Sequence, residues 1–305
     1  MVKIDDPRQE LARRIHETYR ERRKDWRRDH LGGSRIGVEC LRALWYGFRW
    51  WTEPNFDGRT LRLFERGNRE EPWLVEDMRA AGLEVVTGDD ESRETREALI
   101  ASMVEEGHEV YFQEAPPGEK EGQVVVRLTK HFGGSLDGIV RGVPGGGDAW
   151  HVWECKTAGA KAFRDLVKKG VRASKPEHYA QMQTYMEGTG LRRALYTAVC
   201  KDNDEIHVER IEYDAAFAKG LVAKAEGIVA SKRPPVRISE DPSWYKCRWC
   251  DFREACHGGA APVPSCRSCE KATPQPGGEW TCGPMGPRLS GDVQREACGE
   301  WEGIR

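Results

Sequence analysis

The stretch GGSLDGIVRGVPGGGDAWHVWECKT, residues 133–157, decides the fold. Its two ends, SLDGIVRG and AWHVWECK, are short runs rich in Val, Ile and Trp, and Pro144 with three glycines lies between them, so the segment reads as a strand hairpin. Side chains two apart in a strand share a face. Glu154 and Lys156 therefore project together while Trp153 and Cys155 turn the other way. A hairpin that sets Asp137 beside them gathers two carboxylates and an ammonium at one sheet edge. Hard carboxylate oxygens suit Mg²⁺ or Mn²⁺, which polarises a phosphodiester and lowers the pKa of a bound water. Lys156 would orient that water and offset the developing negative charge. An isolated E-x-K triplet in a chain with 32% charged residues reads first as an edge salt bridge. The D-G turn, the hairpin and the hydrophobic strand around it shift the reading to a metal-dependent phosphodiesterase.

Working outward, VYFQEA and QVVVRLTKHF precede this hairpin as strands. Residues 161–188 follow as helix, then ALYTAVCK and IHVERIEY as strands, and AAFAKGLVAKAEGIVA is an amphipathic helix ahead of Pro234-Pro235. Upstream, residues 7–30 read as one highly charged helix, an arm 1–33 with Leu11, Ile15, Tyr19 and Trp26 along one stripe. Gly32-Gly33 breaks it, and Ser34 caps a second helix expected to run through Cys40, Leu41, Leu44 and Trp45. Leu61 to Gly82 is helical in pattern, with Pro72 marking either a kink or a new start.

The 305 residues, with 48 Lys+Arg against 50 Asp+Glu, suffice for one large domain or one plus an appendage. Eleven Trp, eight Tyr and eight Phe supply a core and exclude a disordered chain. Mean hydropathy is -0.71. No apolar run approaches the roughly 18 residues that span a bilayer, and the N-terminus is charged where a signal peptide is apolar, so a soluble, cytoplasmic protein is expected, with no membrane partner. A net charge of -2 excludes a uniformly basic coat, so contact with a polyanion falls to local clusters. Residues 158–193 hold eight Lys/Arg against three acidic residues, a balance of +5 next to the E-x-K strand. Gln181 and Tyr185, four apart on one helix face, could hydrogen-bond a phosphate or a nucleobase, and Glu71, four after Gly67, could add a third carboxylate.

Seven of the ten cysteines fall in the last 59 residues. Without a secretion signal, such clustering points to metal-thiolate sites rather than disulfides. Cys247, Cys250 and Cys256 form C-x2-C-x5-C, three thiolates that need a fourth ligand, for which Cys40 and His257 compete. Past a linker at 258–264, Cys266, Cys269, Cys282 and Cys298 form a second set, in a segment 265–305 with little apolar material that a structural Zn²⁺ would fold. Cys155 and Cys200 sit in hydrophobic strands and are expected in the core.

Gly67 and Glu71, Asp137, Glu154 and Lys156, then Gln181 and Tyr185, stand in the order G-x-x-x-E, D-G, E-x-K, Q-x-x-x-Y. This order resembles the PD-(D/E)xK nucleases, most nearly the RecB-like and phage-exonuclease branch. The resemblance implies an α/β, restriction-endonuclease-like core, a mixed central sheet flanked by helices over residues 34–257, and DNA as substrate. It further implies Mg or Mn on Asp137, Glu154, the Cys155 carbonyl and Glu71. Two departures stand out: Asn68 where many relatives carry an upstream His, and Leu136 where a Pro precedes the Asp. In iron-sulfur members, AddB-type and CRISPR-associated ones among them, an upstream cysteine joins three downstream at this spacing. Cys40 resembles that cysteine. Four thiolates imply a [4Fe-4S] cluster; three with His257 imply Zn²⁺.

The expected function is therefore a metal-dependent deoxyribonuclease, an exonuclease of recombination or repair and phage-encoded in type. A recombination or single-strand-annealing protein is its expected partner. The alternative from another class is a non-catalytic DNA-binding scaffold whose cysteine modules hold nucleic acid or a partner.

Overall fold

The computed structural model describes residues 7–23, 25–88, 109–112, 124–283 and 286–304. The chain begins with α1 (Pro7–Glu21), β1 (Leu31–Gly32), a 3-10 turn at Gly33–Arg35, α2 (Leu41–Phe48) and α3 (Gly58–Ala80). Six strands follow: β2 (Glu84–Val86), β3 (Glu109–Phe112), β4 (Val124–Thr129), β5 (Phe132–Leu136), β6 (Gly138–Arg141) and β7 (His151–Ala158). Next come α4 (Ala160–Ser174), α5 (Pro176–Thr189), β8 (Arg193–Cys200), β9 (Ile206–Glu212) and α6 (Ala215–Ala230). The last part carries α7 (Tyr245–Arg248), α8 (Arg253–His257), β10 (Ala272–Pro274), β11 (Trp280–Cys282), β12 (Gly286–Leu289) and α9 (Gly291–Gln294).

The main sheet has the order β2-β6-β7-β8-β9. The hairpin expected from residues 133–157 forms as β6 and β7, antiparallel with Gly138 opposite Trp153. β8 then lies parallel to β7, from Val152 opposite Ala194 to Ala158 opposite Cys200. Parallel neighbours need a long crossover, and α4 with α5 supplies it. A second sheet, β1-β5-β4-β3, adjoins the first because β5 runs into β6 with only Asp137 between them. This is the mixed-sheet α/β layering expected, with helices on both faces.

Alternation along β7 divides the interior. Val152 packs with Phe163, Leu166, Met182 and Tyr185 beneath α4 and α5. Trp153 and Cys155 pack with Leu74, Val75 and Met78 of α3 on the other face. Cys155 and Cys200 are buried, as their strands predict.

Three local expectations are corrected. The N-terminal helix ends at Glu21 rather than at residue 30. Beyond it the backbone is held by tertiary donors: Trp50 Nε1 reaches the Arg28 carbonyl at 2.8 Å and Arg267 the Asp29 carbonyl at 2.8 Å. Cys40 does not lie inside α2 but is its N-cap, in extended conformation. Lys224 takes the carbonyls of Ile36 and Val38, at 2.7 and 2.6 Å, which an earlier helix would have needed. At Pro72 no new helix starts, because α3 runs through it as one helix with the proline inside. Pro72 leaves the Asn68 carbonyl without its helical donor.

The 265–304 segment is built into the body. Cys266, Cys269, Trp280, Cys282, Leu289 and Ile304 share one apolar cluster with Leu44, Trp45 and Phe48 of α2 and with Leu221 of α6. Residues 258–264 are tied down as well, through Val263 N to the Trp51 carbonyl at 2.9 Å and Trp51 Nε1 to the Ala260 carbonyl at 3.3 Å.

Candidate active site

Asp137 occupies the step between the two sheets, where its Oδ2 accepts from the Cys155 backbone N–H at 2.8 Å. That bond locks the D-G turn onto β7 beside the E-x-K triplet. Glu154 is fully buried, and Lys156 keeps 28% of its side chain exposed. The Lys156 ammonium pairs with Glu154 Oε1, donates to the Cys155 carbonyl at 3.0 Å and lies 3.9 Å from Asp137 Oδ2. Three hard oxygens thus converge on one cationic point, which the ammonium fills.

Burial pushes the Glu154 carboxyl well above the usual carboxylate range; Lys156 opposes this, while Asp137 and Glu71 add to it. Burial works against the charge on Lys156, yet Glu154 and Asp137 outweigh it and hold the ammonium protonated. Glu154 Oε2 is buried with no hydrogen-bond partner among the described residues. An orphaned buried carboxylate oxygen is costly, and a divalent cation on this oxygen set would satisfy it. The donors therefore fit Mg²⁺ or Mn²⁺. As placed, no three His, Cys, Asp or Glu groups among the described residues stand close enough to hold a metal ion.

Gln181 and Tyr185 are both buried on α5, with Gln181 Nε2 donating to the Tyr185 hydroxyl at 3.4 Å. Two glycines make room for that ring: a Cβ on Gly33 would come within 2.9 Å of Tyr185 Cε1, and one on Gly134 within 2.6 Å of its hydroxyl. Burial pushes the Tyr185 hydroxyl up, and the Glu154 and Asp137 charges add to the effect. Glu71 belongs to the same assembly, because its charge raises both the Glu154 carboxyl and the Cys155 thiol. One turn earlier on α3, a Cβ on Gly67 would be 3.8 Å from Thr157 Oγ1. The structure thus draws Glu71, Asp137, Glu154, Lys156, Gln181 and Tyr185 together.

Two residues of this neighbourhood escape the sequence reading. Tyr196 faces Glu154 across the β7–β8 pairing, and its hydroxyl is 2.9 Å from His178 Nδ1. Burial pushes His178 down to about 3, with the Lys156 and Lys175 charges adding to it, so the imidazole is neutral. Its one sequence signal is the helical i, i+3 spacing to Gln181.

Cys40, Cys247, Cys250 and Cys256 all line one cavity, joined there by His257 and Tyr46. Burial raises the Cys247 thiol, and the charges of Cys40 and Cys256 raise it further. The four cysteines and His257 share this cavity, but no three of them stand close enough together to hold a metal ion as placed. In the C-terminal set, burial pushes Cys266 up to about 11, with Cys282, Cys298 and Cys269 adding to it. Cys266, Cys269 and Cys282 are buried, and Cys282 pairs with Ala272 in the β10–β11 ladder.

A comparison with curated proteins finds no match. Among solved structures, the chain is similar to an alkaline exonuclease from Laribacter hongkongensis at 21% identity and a TM-score of 0.39, over 67% of this chain and 88% of that one. The same exonuclease in complex with dAMP matches at 19% identity and 0.37, over 67% and 88%. The protein SSO0001 matches at 15% identity and 0.40, over 82% and 96%. A family model, the PD-(D/E)XK nuclease superfamily, matches residues 49–257, more than half the chain and the whole span from α3 through Cys256. The chain belongs to the PD-(D/E)XK nuclease superfamily.

Proposed function

We propose that this nuclease is a metal-dependent deoxyribonuclease, acting as an exonuclease in recombination or repair. The observation that carries the site is the convergence of Asp137, Glu154 and the Cys155 carbonyl on the Lys156 ammonium. A divalent cation held by those oxygens, with Glu71 as a further carboxylate, would polarise the phosphodiester and acidify the attacking water. Lys156 orients that water and offsets charge building on the phosphorane-like transition state. In this reading Gln181 and Tyr185, neighbours on α5, supply hydrogen-bond donors for a phosphate oxygen. In this reading cleavage is direct attack by water, and the one thiol in the triplet, Cys155, packs against α3 on the opposite face of the strand from Glu154 and Lys156.

DNA suits the surface beside the site. On α4, Lys161, Arg164 and Lys168 are exposed at helical spacing, and none has a carboxylate partner among the described residues, whereas Lys169 is paired with Asp165 at 2.7 Å. Such a stripe can neutralise consecutive phosphates. The exonuclease mode and the recombination partner rest on the motif order and the iron-sulfur-type cysteine spacing. In this reading Cys40 with Cys247, Cys250 and Cys256 holds a [4Fe-4S] cluster, or Zn²⁺ in its place, and Cys266, Cys269, Cys282 and Cys298 hold a structural Zn²⁺. No helix among the described residues is long and apolar enough to cross a membrane.

The test is digestion of end-labelled linear duplex and single-stranded DNA with Mg²⁺ or Mn²⁺ by anaerobically purified wild type and Lys156→Ala. Degradation by wild type alone supports the site, and the product ladder gives direction. Binding without cutting by either protein would replace the nuclease reading with that of a DNA-binding scaffold.

A further inference from the structure

We propose that a groove beside the active site, between residues 26–35 and 44–56, stacks an unpaired nucleotide of the DNA strand being cut. This rests on the deoxyribonuclease reading and adds a binding site to it. The groove encloses about 270 Å³, near the size of a small-ligand site. Trp26, Phe56 and Phe252 line it and are half-buried, so each keeps ring surface open, while the fully buried Trp50 backs them.

Its rim is cationic. Arg28 and Arg35 line the groove and are exposed, and neither is ion-paired with a carboxylate among the described residues. Their neighbours differ: Arg23 is paired with Glu53 at 3.3 Å, Arg27 with Asp25 at 2.9 Å and Arg127 with Asp29 at 3.6 Å. One carboxylate, Asp251, lines the groove at the Phe252 side. An aromatic slot with unpaired guanidinium groups on its rim fits a base on the rings and its phosphate on arginine, with little regard for sequence.

Continuity with the active site fixes which nucleic acid this would be. Gly32, Ser34 and Arg35 line the groove, and the buried Gly33 between them packs against the Tyr185 ring, as Gly134 does. β1 also lies parallel to β5, the strand that delivers Asp137. The buried Tyr185 ring therefore lies between the turn that lines the groove and the Lys156 site, whose charges act on its hydroxyl. In this proposal a strand end whose phosphate lies at Lys156 delivers a nearby unpaired base to the slot.

The experiment uses the full-length chain carrying Lys156→Ala, which leaves the DNA intact, and a fluorescent twelve-nucleotide single strand with one abasic site moved along it. The expected result is one position at which the abasic site weakens binding about tenfold, the scale of one base–aromatic stack. Adding Trp26→Ala should cost about the same with intact DNA and abolish the sensitivity to that position. Arg35→Ala should weaken every ligand alike and lower the salt slope by about one. Phe56→Leu, a milder change, guards against a Trp26 variant that fails to fold. Uniform abasic sensitivity, or Trp26→Ala and Phe56→Leu binding as tightly as their parent, would overturn the groove while wild-type cleavage, assayed in parallel, still upheld the nuclease. Wild type that neither binds nor cuts DNA would overturn both.

Discussion

The strand that carries Glu154 and Lys156 and the segment that carries the last four cysteines both contribute side chains to the interior, yet different forces place them. β7 sits between β6 and β8 in a continuous ladder, with helices on both faces. Its side chains are aimed by period-two alternation, so the oxygens of Asp137, Glu154 and Cys155 are arranged before any ion arrives. The 265–304 segment has a three-stranded ladder of short strands and depends on buried side chains to join the body. Where backbone periodicity places a functional group, chemistry and stability separate; where side chains do the placing, they coincide. The sharpest way to break that contrast is Lys156→Ala or Asp137→Asn. DNA hydrolysis should fall by at least roughly 10²–10³-fold, the scale of removing one preorganised charge or donor. The far-ultraviolet circular dichroism and unfolding midpoint should stay near wild type, and a collapsed fold in both variants would contradict the separation.

The cysteine clasp should behave in the opposite way. Cys40→Ser or Cys247→Ser removes a sulfur from the cavity joining α2 to α7 and α8, more than two hundred residues apart in sequence. Loss of bound iron or zinc by elemental analysis should accompany a loss of stability above about 3 kcal/mol, because the free energy of a structural metal is folding free energy. Equal stability with and without chelator would show the thiols to be plain core residues.

Arg267 tests the C-terminal attachment without touching a cysteine. Its guanidinium is 2% exposed, lies 4.2 Å from the Trp50 ring and 4.8 Å from Trp280, and donates to Gln294 Oε1 at 2.8 Å and the Asp29 carbonyl at 2.8 Å. Burial pushes it down to about 9, and the Asp29 charge opposes this. Arg267→Ala should cost about 3 kcal/mol, since several buried acceptors lose their donor together. Arg267→Lys should recover part of that but not the stacking or the fork. Chemical denaturation reads the loss, and cleavage under native conditions should change little.

Most of the main sheet was legible because its strands are short apolar runs bounded by Pro-Gly and Gly-Gly turns. The site was legible as spacing: Glu154 and Lys156 two apart on a strand, Gln181 and Tyr185 four apart on a helix. What escaped depends on long-range partners. The carbonyls of residues 28 and 29 go to Trp50 and Arg267, which no local pattern announces, so periodicity alone extends the first helix too far. Local pattern puts Cys40 inside α2, because nothing nearby in sequence shows that Lys224 takes the Ile36 and Val38 carbonyls. Tyr196 was hidden because its role appears only once β8 pairs with β7. The cysteine sets could be counted, but composition alone could not reveal that Trp280, Leu289 and Ile304 reach the α2 core.

The smallest effect lies on the surface of α4, where charge alone is at stake. Lys161, Arg164 and Lys168 are exposed and form one stripe. Lys169 on the same helix spends its charge on Asp165, with both side chains about half exposed. If the stripe follows the DNA backbone, Lys161→Ala and Lys168→Ala should each weaken binding a few fold and reduce the dependence of log K on log salt by about one. Lys169→Ala should do neither, because a phosphate would have to compete with an existing ion pair. None of the three should alter stability measurably, as exposed charges seldom contribute more than about 0.5 kcal/mol. Equal salt slopes for all three variants would move the DNA path off α4 and leave the groove at Arg28 and Arg35 as the cationic approach to Lys156.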